Sequence, residues 1–139
     1  MELSEPKYEY QVSLRITHPT IASGSFTAAL HLEPKTSWSV GDPCKDRNGG
    51  IVPGNREESY WVHTFHVTQD GDLPLSLSNV VSSLEARKFF FNNILSTGGS
   101  AELFVGYFIN APNTSIRLDP TLLKRCSELG LGIYVDIYG

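Results

Sequence analysis

The residues best suited to recognition gather in "LEPKTSWSVGDPCKDRNGGIVPGNREESYW", residues 32 to 61. Its two indoles, Trp38 and Trp61, flank a run of Gly, Pro, Asn and charge with neither helical nor strand period through most of its length. Tryptophan is costly to expose, so it anchors either a core edge or a contact surface. Trp61, on a strand, is expected in the core; Trp38 is expected to wall a cleft. Gly41-Asp42-Pro43 reads as a turn, with Gly permitting positive φ, Asp bonding nearby amides and Pro restricting the backbone at the turn's exit. In its functional form, Asp42 with Arg47 or Arg56 beside Trp38 makes the polar corner of a pocket. Trp38, Gly41, Asp42, Arg56 and Trp61 are therefore the candidate binding residues. Between Pro34 and Ser59 no regular structure is expected, and irregular connections beyond roughly 12 to 15 residues tend to be functional or disordered. The plain alternative is a tolerated surface insertion.

Other chemistry has weaker support. His63 and His66 point to opposite faces of a strand, with no Cys, Asp or Glu at ligand spacing beside them. His18 precedes Pro19 in a turn and His31 closes a short helix. Asp70 and Asp72 flank a glycine but lack the remaining oxygens of a calcium loop. Neither a Gly-x-Ser-x-Gly elbow nor a Gly-rich phosphate loop is present, and no Cys-His arrangement is specific. Pairing of His63 with Glu57 or Glu58 would depend on folding. No catalytic residue, metal or cofactor is expected. Cys44 and Cys126 read as two unrelated reduced thiols.

A chain of 139 residues, 40% of them hydrophobic, is expected to form a single domain, 1–139, around one core. Its formal charge of −4 removes the main electrostatic attraction for nucleic acid. No apolar window approaches about eighteen residues and the first residues lack the pattern of a secretory signal, so neither a membrane nor secretion is expected, and the location reads as cytoplasmic. Asn113-Thr114-Ser115, a glycosylation acceptor by sequence, is then a turn.

Period sets the strands and helices that carry these residues. Tyr8 to Ile16 alternates, with Val12, Leu14 and Ile16 on one face. Ser25 is expected to cap a short helix ending near His31, and Tyr60 to Val67 to form a second strand. After a turn at Asp70 to Pro74, one long helix is expected over Ser76 to Ser96, closed by Gly98-Gly99. Its apolar stripe would hold Leu77, Val80, Val81, Leu84, Phe91 and Leu95. Lys88 falls within that stripe and Phe89 and Phe90 fall off it, which predicts a register break near Arg87. Ala101 to Ile109, apolar on both faces, reads as the central strand. A turn around Asn110 to Asn113 leads to a short strand at Ser115 to Leu118. Asp119 then reads as an N-cap with Pro120 at the first helical position and Gly130 as the stop. Ile133, Val135 and Ile137 alternate with Tyr134, Asp136 and Tyr138 in a closing strand.

The order β-α-β-α-β-β-α-β predicts an α+β fold: a mixed, mostly antiparallel sheet with helices on one face. Arg15, Tyr134, Asp136 and Tyr138, with Phe104 and Phe108, would occupy the opposite face. Such a row of aromatics suits either base stacking, which the net charge disfavours, or a covered face or dimer contact.

"LEPKTSWSVGDP" (32 to 43), "SYW" (59 to 61) and "TSIRLDPTLLKRCSELGLGIYVDIYG" (114 to 139) together resemble a bacterial group, domain of unknown function 4279. The likeness runs from about Tyr8 to the end, and rests on the spacing of Trp38, Gly41, Asp42 and Trp61 and on the leucine-rich helix before a final tyrosine strand. It implies a compact, stand-alone bacterial α+β domain and carries no activity. The lead-in Ser23-Gly24-Ser25 departs from the more acidic one expected of the group. The leading functional expectation is a protein-binding module using the 38–61 loop, in one version immunity-like, neutralising a basic toxin. The alternatives are an enzyme or small-ligand binder with a pocket between loop and sheet, and a homodimer through the aromatic sheet face.

Overall fold

A computed structural model describes residues 9–65, 72–109 and 112–139. Its elements are β1 (Glu9–His18), α1 (Gly24–Leu30), β2 (Thr36–Trp38), β3 (Pro43–Lys45), β4 (Ile51–Asn55), β5 (Ser59–Phe65), α2 (Leu73–Glu85), α3 (Lys88–Ser96), β6 (Ser100–Phe108), α4 (Pro120–Glu128) and β7 (Leu131–Tyr138). Five strands form a mixed sheet in the order β2-β5-β1-β6-β7, and β3 pairs with β4 in a separate ribbon. β1 is antiparallel to β5 and β6, β2 is antiparallel to β5, and β6 and β7 run parallel. A parallel pair needs a crossover, which α4 supplies. The architecture is the α+β arrangement that the periods predict.

The alternation of β1 places Val12, Leu14 and Ile16 in the core, opposite His63, Trp61, Leu103, Ala101 and their neighbours. Against this face pack Phe26 and Leu30 of α1, Leu77, Val81 and Leu84 of α2, Phe91 and Ile94 of α3, and Leu122 and Cys126 of α4. β1 is the middle strand, so Ala101 to Ile109 is not the centre of the sheet; β6 lies between β1 and β7.

Several local expectations are corrected. Ser23, not Ser25, stands at the N-cap of α1, and its side chain makes no capping bond there. Its hydroxyl bonds that of Ser39 instead, at 3.0 Å. The long helix starts at Leu73 and is two helices, broken at Ala86 and Arg87. The break leaves Lys88 exposed and resets the buried stripe to Phe91 and Ile94, while Leu95, expected inside, is 55% exposed. No strand forms at 115–118. The stretch from Pro34 to Ser59 holds β2, β3 and β4 rather than one irregular loop. Asp119 caps α4 as expected, its carboxylate accepting from Leu122 N at 2.8 Å. His66, the end of the second strand at Val67, Asp70-Gly71 and Asn110 lie outside the described residues.

Candidate functional site

The 32–61 stretch is held down by backbone and short polar side chains. Ser59, fully buried at the start of β5, accepts from Val40 N through its hydroxyl at 2.9 Å. Ser39 Oγ accepts from Ser23 N at 2.9 Å and so ties the stretch to the start of α1. At the base of the β3–β4 ribbon, Gly41 N donates to Arg56 O and Arg56 N donates to Asp42 O, both at 2.8 Å. Gly41 has φ 87°, a conformation that side chains on L-residues rarely adopt, so the reversal into β3 uses a glycine there. The Asp42 carboxylate folds back to accept from Ser39 N at 2.9 Å. At the ribbon's tip, Asp46 Oδ1 accepts from Asn48 N and Gly50 N at 2.9 and 2.8 Å.

This frame opens a cleft of about 650 Å³ between the outer edge of β2 and the ribbon, walled by Thr36, Trp38, Asp42, Lys45, Arg47 and Arg56 among others. Trp38 lies half-buried, stacked on Tyr60 across the β2–β5 pair with ring centroids 4.6 Å apart. Arg56 covers its other side, with the guanidinium carbon 3.8 Å from the ring centroid. A guanidinium stacked this way gains cation–π attraction and keeps its planar N–H fork available at the edge. Its Nε is buried with no hydrogen-bond partner among the described residues. Both carboxylates of the wall are engaged with turn amides, whereas Lys45, Arg47 and Arg56 form no side-chain ion pair among the described residues.

Of the candidate residues, Trp38, Asp42 and Arg56 meet at this cleft, with Arg47 beside them. Gly41 shapes the turn behind it. Trp61 does not take part: it is fully buried on the helix side of the sheet, where Nε1 donates to Thr27 Oγ1 of α1 at 3.0 Å. Strand alternation separates the two indoles, because Trp38 faces Tyr60 while Trp61 faces the core. Lys45, a wall residue, escaped sequence reasoning because its three-residue strand carries no period. Its signal was the charge run "CKDR" within the candidate stretch.

Elsewhere, His63 Nδ1 lies 2.6 Å from Glu33 O rather than beside Glu57 or Glu58. Among the described residues no three His, Cys, Asp or Glu side chains come together to hold a metal. Burial pushes the Cys126 thiol up, away from the reactive thiolate. On the sheet face away from the helices, Phe104 stacks on Tyr134 at 5.2 Å and Phe108 on Tyr138 at 4.9 Å. Arg15 lies 4.4 Å above Phe104 and 3.3 Å from Glu102, so its charge is locally met. The Tyr138 hydroxyl donates to Asp136, which raises its pKa. Among the described residues, no helix is long and apolar enough to cross a membrane.

The model of the family described as Domain of unknown function (DUF4279) matches residues 8–139. No curated protein and no solved structure matches the chain. The match takes in the β2 edge, the ribbon and the whole sheet, and by that extent the chain belongs to the DUF4279 family.

Proposed function

We propose that this protein acts by binding a protein partner through the cleft that residues 38–61 build at the sheet edge. The observation that carries the reading is the Arg56–Trp38–Tyr60 pile on the cleft wall. Aromatic and arginine anchors in a braced frame, with a polar rim, are the composition that concentrates binding energy at interfaces. No histidine or cysteine lines the cleft among the described residues, and the shifted groups His18, Cys126 and Tyr138 stand elsewhere. That favours recognition over acid–base or nucleophilic chemistry. The lining also weighs against the basic-toxin version, because three cations face two carboxylates there.

Capture from a lysate tests the reading, comparing the intact protein with Trp38→Ala and Arg56→Ala. Asp42 is a poorer probe, since its carboxylate braces the turn. A protein retained by the intact chain and lost with both variants supports the reading; retention indifferent to both substitutions removes it.

Self-association is a second reading, favoured by Phe108, Tyr134 and Tyr138, which are 45 to 51% exposed. It predicts a mass near twice 15.4 kDa by light scattering. A monomer at high concentration ends it.

A further inference from the structure

The cleft has a feature that its aromatic wall alone does not explain. One side of it is β2, the edge strand of the sheet, through Thr36, Ser37 and Trp38. β2 pairs with β5 on its inner side only, and no strand lies along its outer side among the described residues. A strand edge presents backbone donors and acceptors in a row, which another extended chain can continue. Lys45, Arg47 and Arg56 line the same cleft, with Arg56 lying over the Trp38 ring.

We infer that the partner segment taken by this cleft is an extended acidic peptide, laid along the outer edge of β2 with its carboxylates toward Lys45, Arg47 and Arg56. This rests on the protein-binding reading and narrows it. Charge supplies the first argument. Asp42 and Asp46 spend acceptor capacity on Ser39, Asn48 and Gly50 amides, while the three cations have no carboxylate partner among the described residues. Three cations against two carboxylates leave the wall with a small excess of positive charge on a chain whose formal charge is −4.

Geometry supplies the second. Arg56 rests over the Trp38 ring, which restricts its rotamers before any ligand arrives, so a carboxylate can meet its fork in two bonds with less entropy left to lose. Side chains of an added strand alternate, so acidic residues at every second position would all face the same side. A small free anion would engage the cations but leave the β2 edge unused. A basic segment would meet three like charges against two carboxylates already bonded to turn amides. A neutral strand would forgo the unmatched charges on the wall.

The test titrates a fluorescein-labelled hexapeptide, Glu-Thr-Glu-Val-Glu-Thr, into the full chain by anisotropy, with Gln-Thr-Gln-Val-Gln-Thr as its neutral counterpart. Free glutamate and inorganic phosphate serve as small-anion arms. Expected are saturable binding of the acidic peptide, weakening as salt rises, and shifts of the Thr36 to Trp38 amide resonances. The exposed double variant Lys45→Glu, Arg47→Glu, which removes no ion pair among the described residues, should fold and bind at least about tenfold more weakly. Equal affinity for the glutamine peptide, or an unaffected double variant, overturns the inference. So does saturation by glutamate or phosphate with the same amide shifts, which would make the site one for small anions. A lysate protein that depends on Trp38 yet is not displaced by excess acidic peptide overturns this inference while leaving the protein-binding reading in place.

Discussion

The Arg56 guanidinium carbon lies over Trp38, 3.8 Å from the ring centroid, and Tyr60 stacks on the same indole at 4.6 Å. The pair joins the end of the ribbon to the edge strand. Because it lies at a partly solvated surface, Arg56→Ala is expected to cost only about 0.5–1 kcal/mol in urea unfolding. Trp38 emission should shift, while the fully buried Trp61 supplies a constant background. A loss above about 3 kcal/mol, the scale of core truncation, would mean that the stack maintains the fold rather than presenting a contact.

His18 is fully buried and held by hydrogen bonds on both ring nitrogens: Nδ1 accepts from Thr20 N at 3.0 Å and Ile21 N at 2.9 Å, and Nε2 meets Thr97 Oγ1 at 2.7 Å. Thr97 donates onward to Asn93 O, so Nε2 carries the proton and the ring is neutral. Burial lowers its pKa from 6.5. Above that pH both folded and unfolded states are neutral and stability is full. Below it the unfolded chain takes up a proton that the folded ring resists, so stability falls as pH drops from 6.5 toward the lowered value. Urea midpoints between about pH 7.5 and 5 should decline less steeply in His18→Gln than in the parent. Parallel pH profiles would rule this origin out.

Gly99 lies against the same histidine. A Cβ there would sit 2.6 Å from His18 Cδ2, 2.7 Å from Thr17 O and 2.9 Å from Ile94 Cγ2. Two of these neighbours are fixed in the core and one is backbone, so Gly99→Ala should destabilise by about 1–3 kcal/mol or more through overpacking. Gly24, whose Cβ would meet nothing within 4 Å, is the control. Gly24→Ala should be neutral or stabilise by up to about 1 kcal/mol. Equal melting temperatures for the two variants would contradict the packing argument.

Arg125 clamps α4 to α2. Its guanidinium donates to Ser78 Oγ at 2.8 Å, Ser82 Oγ at 2.7 Å and Glu85 Oε1, leaving 23% of the side chain exposed. Arg125→Ala should cost about 1.5–3 kcal/mol, the range for charge-assisted hydrogen bonds, with Arg125→Lys recovering only part because an ammonium lacks the fork. Denaturant unfolding of both variants checks the order. Full recovery by lysine would reduce the clamp to simple charge.

Much of the fold can be read from local pattern. The alternation of Val12, Leu14 and Ile16 set the buried face of β1, and Asp119-Pro120 with Gly130 bounded α4, because caps and periods are properties of a few neighbouring residues. The conflict of Lys88 with its apolar stripe announced the break at Arg87 before any contact was known. Trp38 and Trp61 could likewise be assigned different surroundings from their flanks. Pairing was the part that local pattern could not carry. β2, β3 and β4 are three to five residues long, too short for a period, and exist through hydrogen bonds to β5 or to each other. Ser115 to Leu118 has as good a strand composition but pairs with no strand among the described residues, and stays irregular. The order of residues was thus enough to say which side of each long element is apolar and which residues gather in the 32–61 stretch. It took the folded structure to place Arg56 over Trp38, to draw Trp61 out of the site into the core, and to gather three cations in one cleft beside the edge strand β2. Those relations depend on pairing, the ribbon that returns Arg56 beside Gly41 and Asp42 and the sheet that sets Trp61 against Thr27, and pairing is not a property of neighbouring residues.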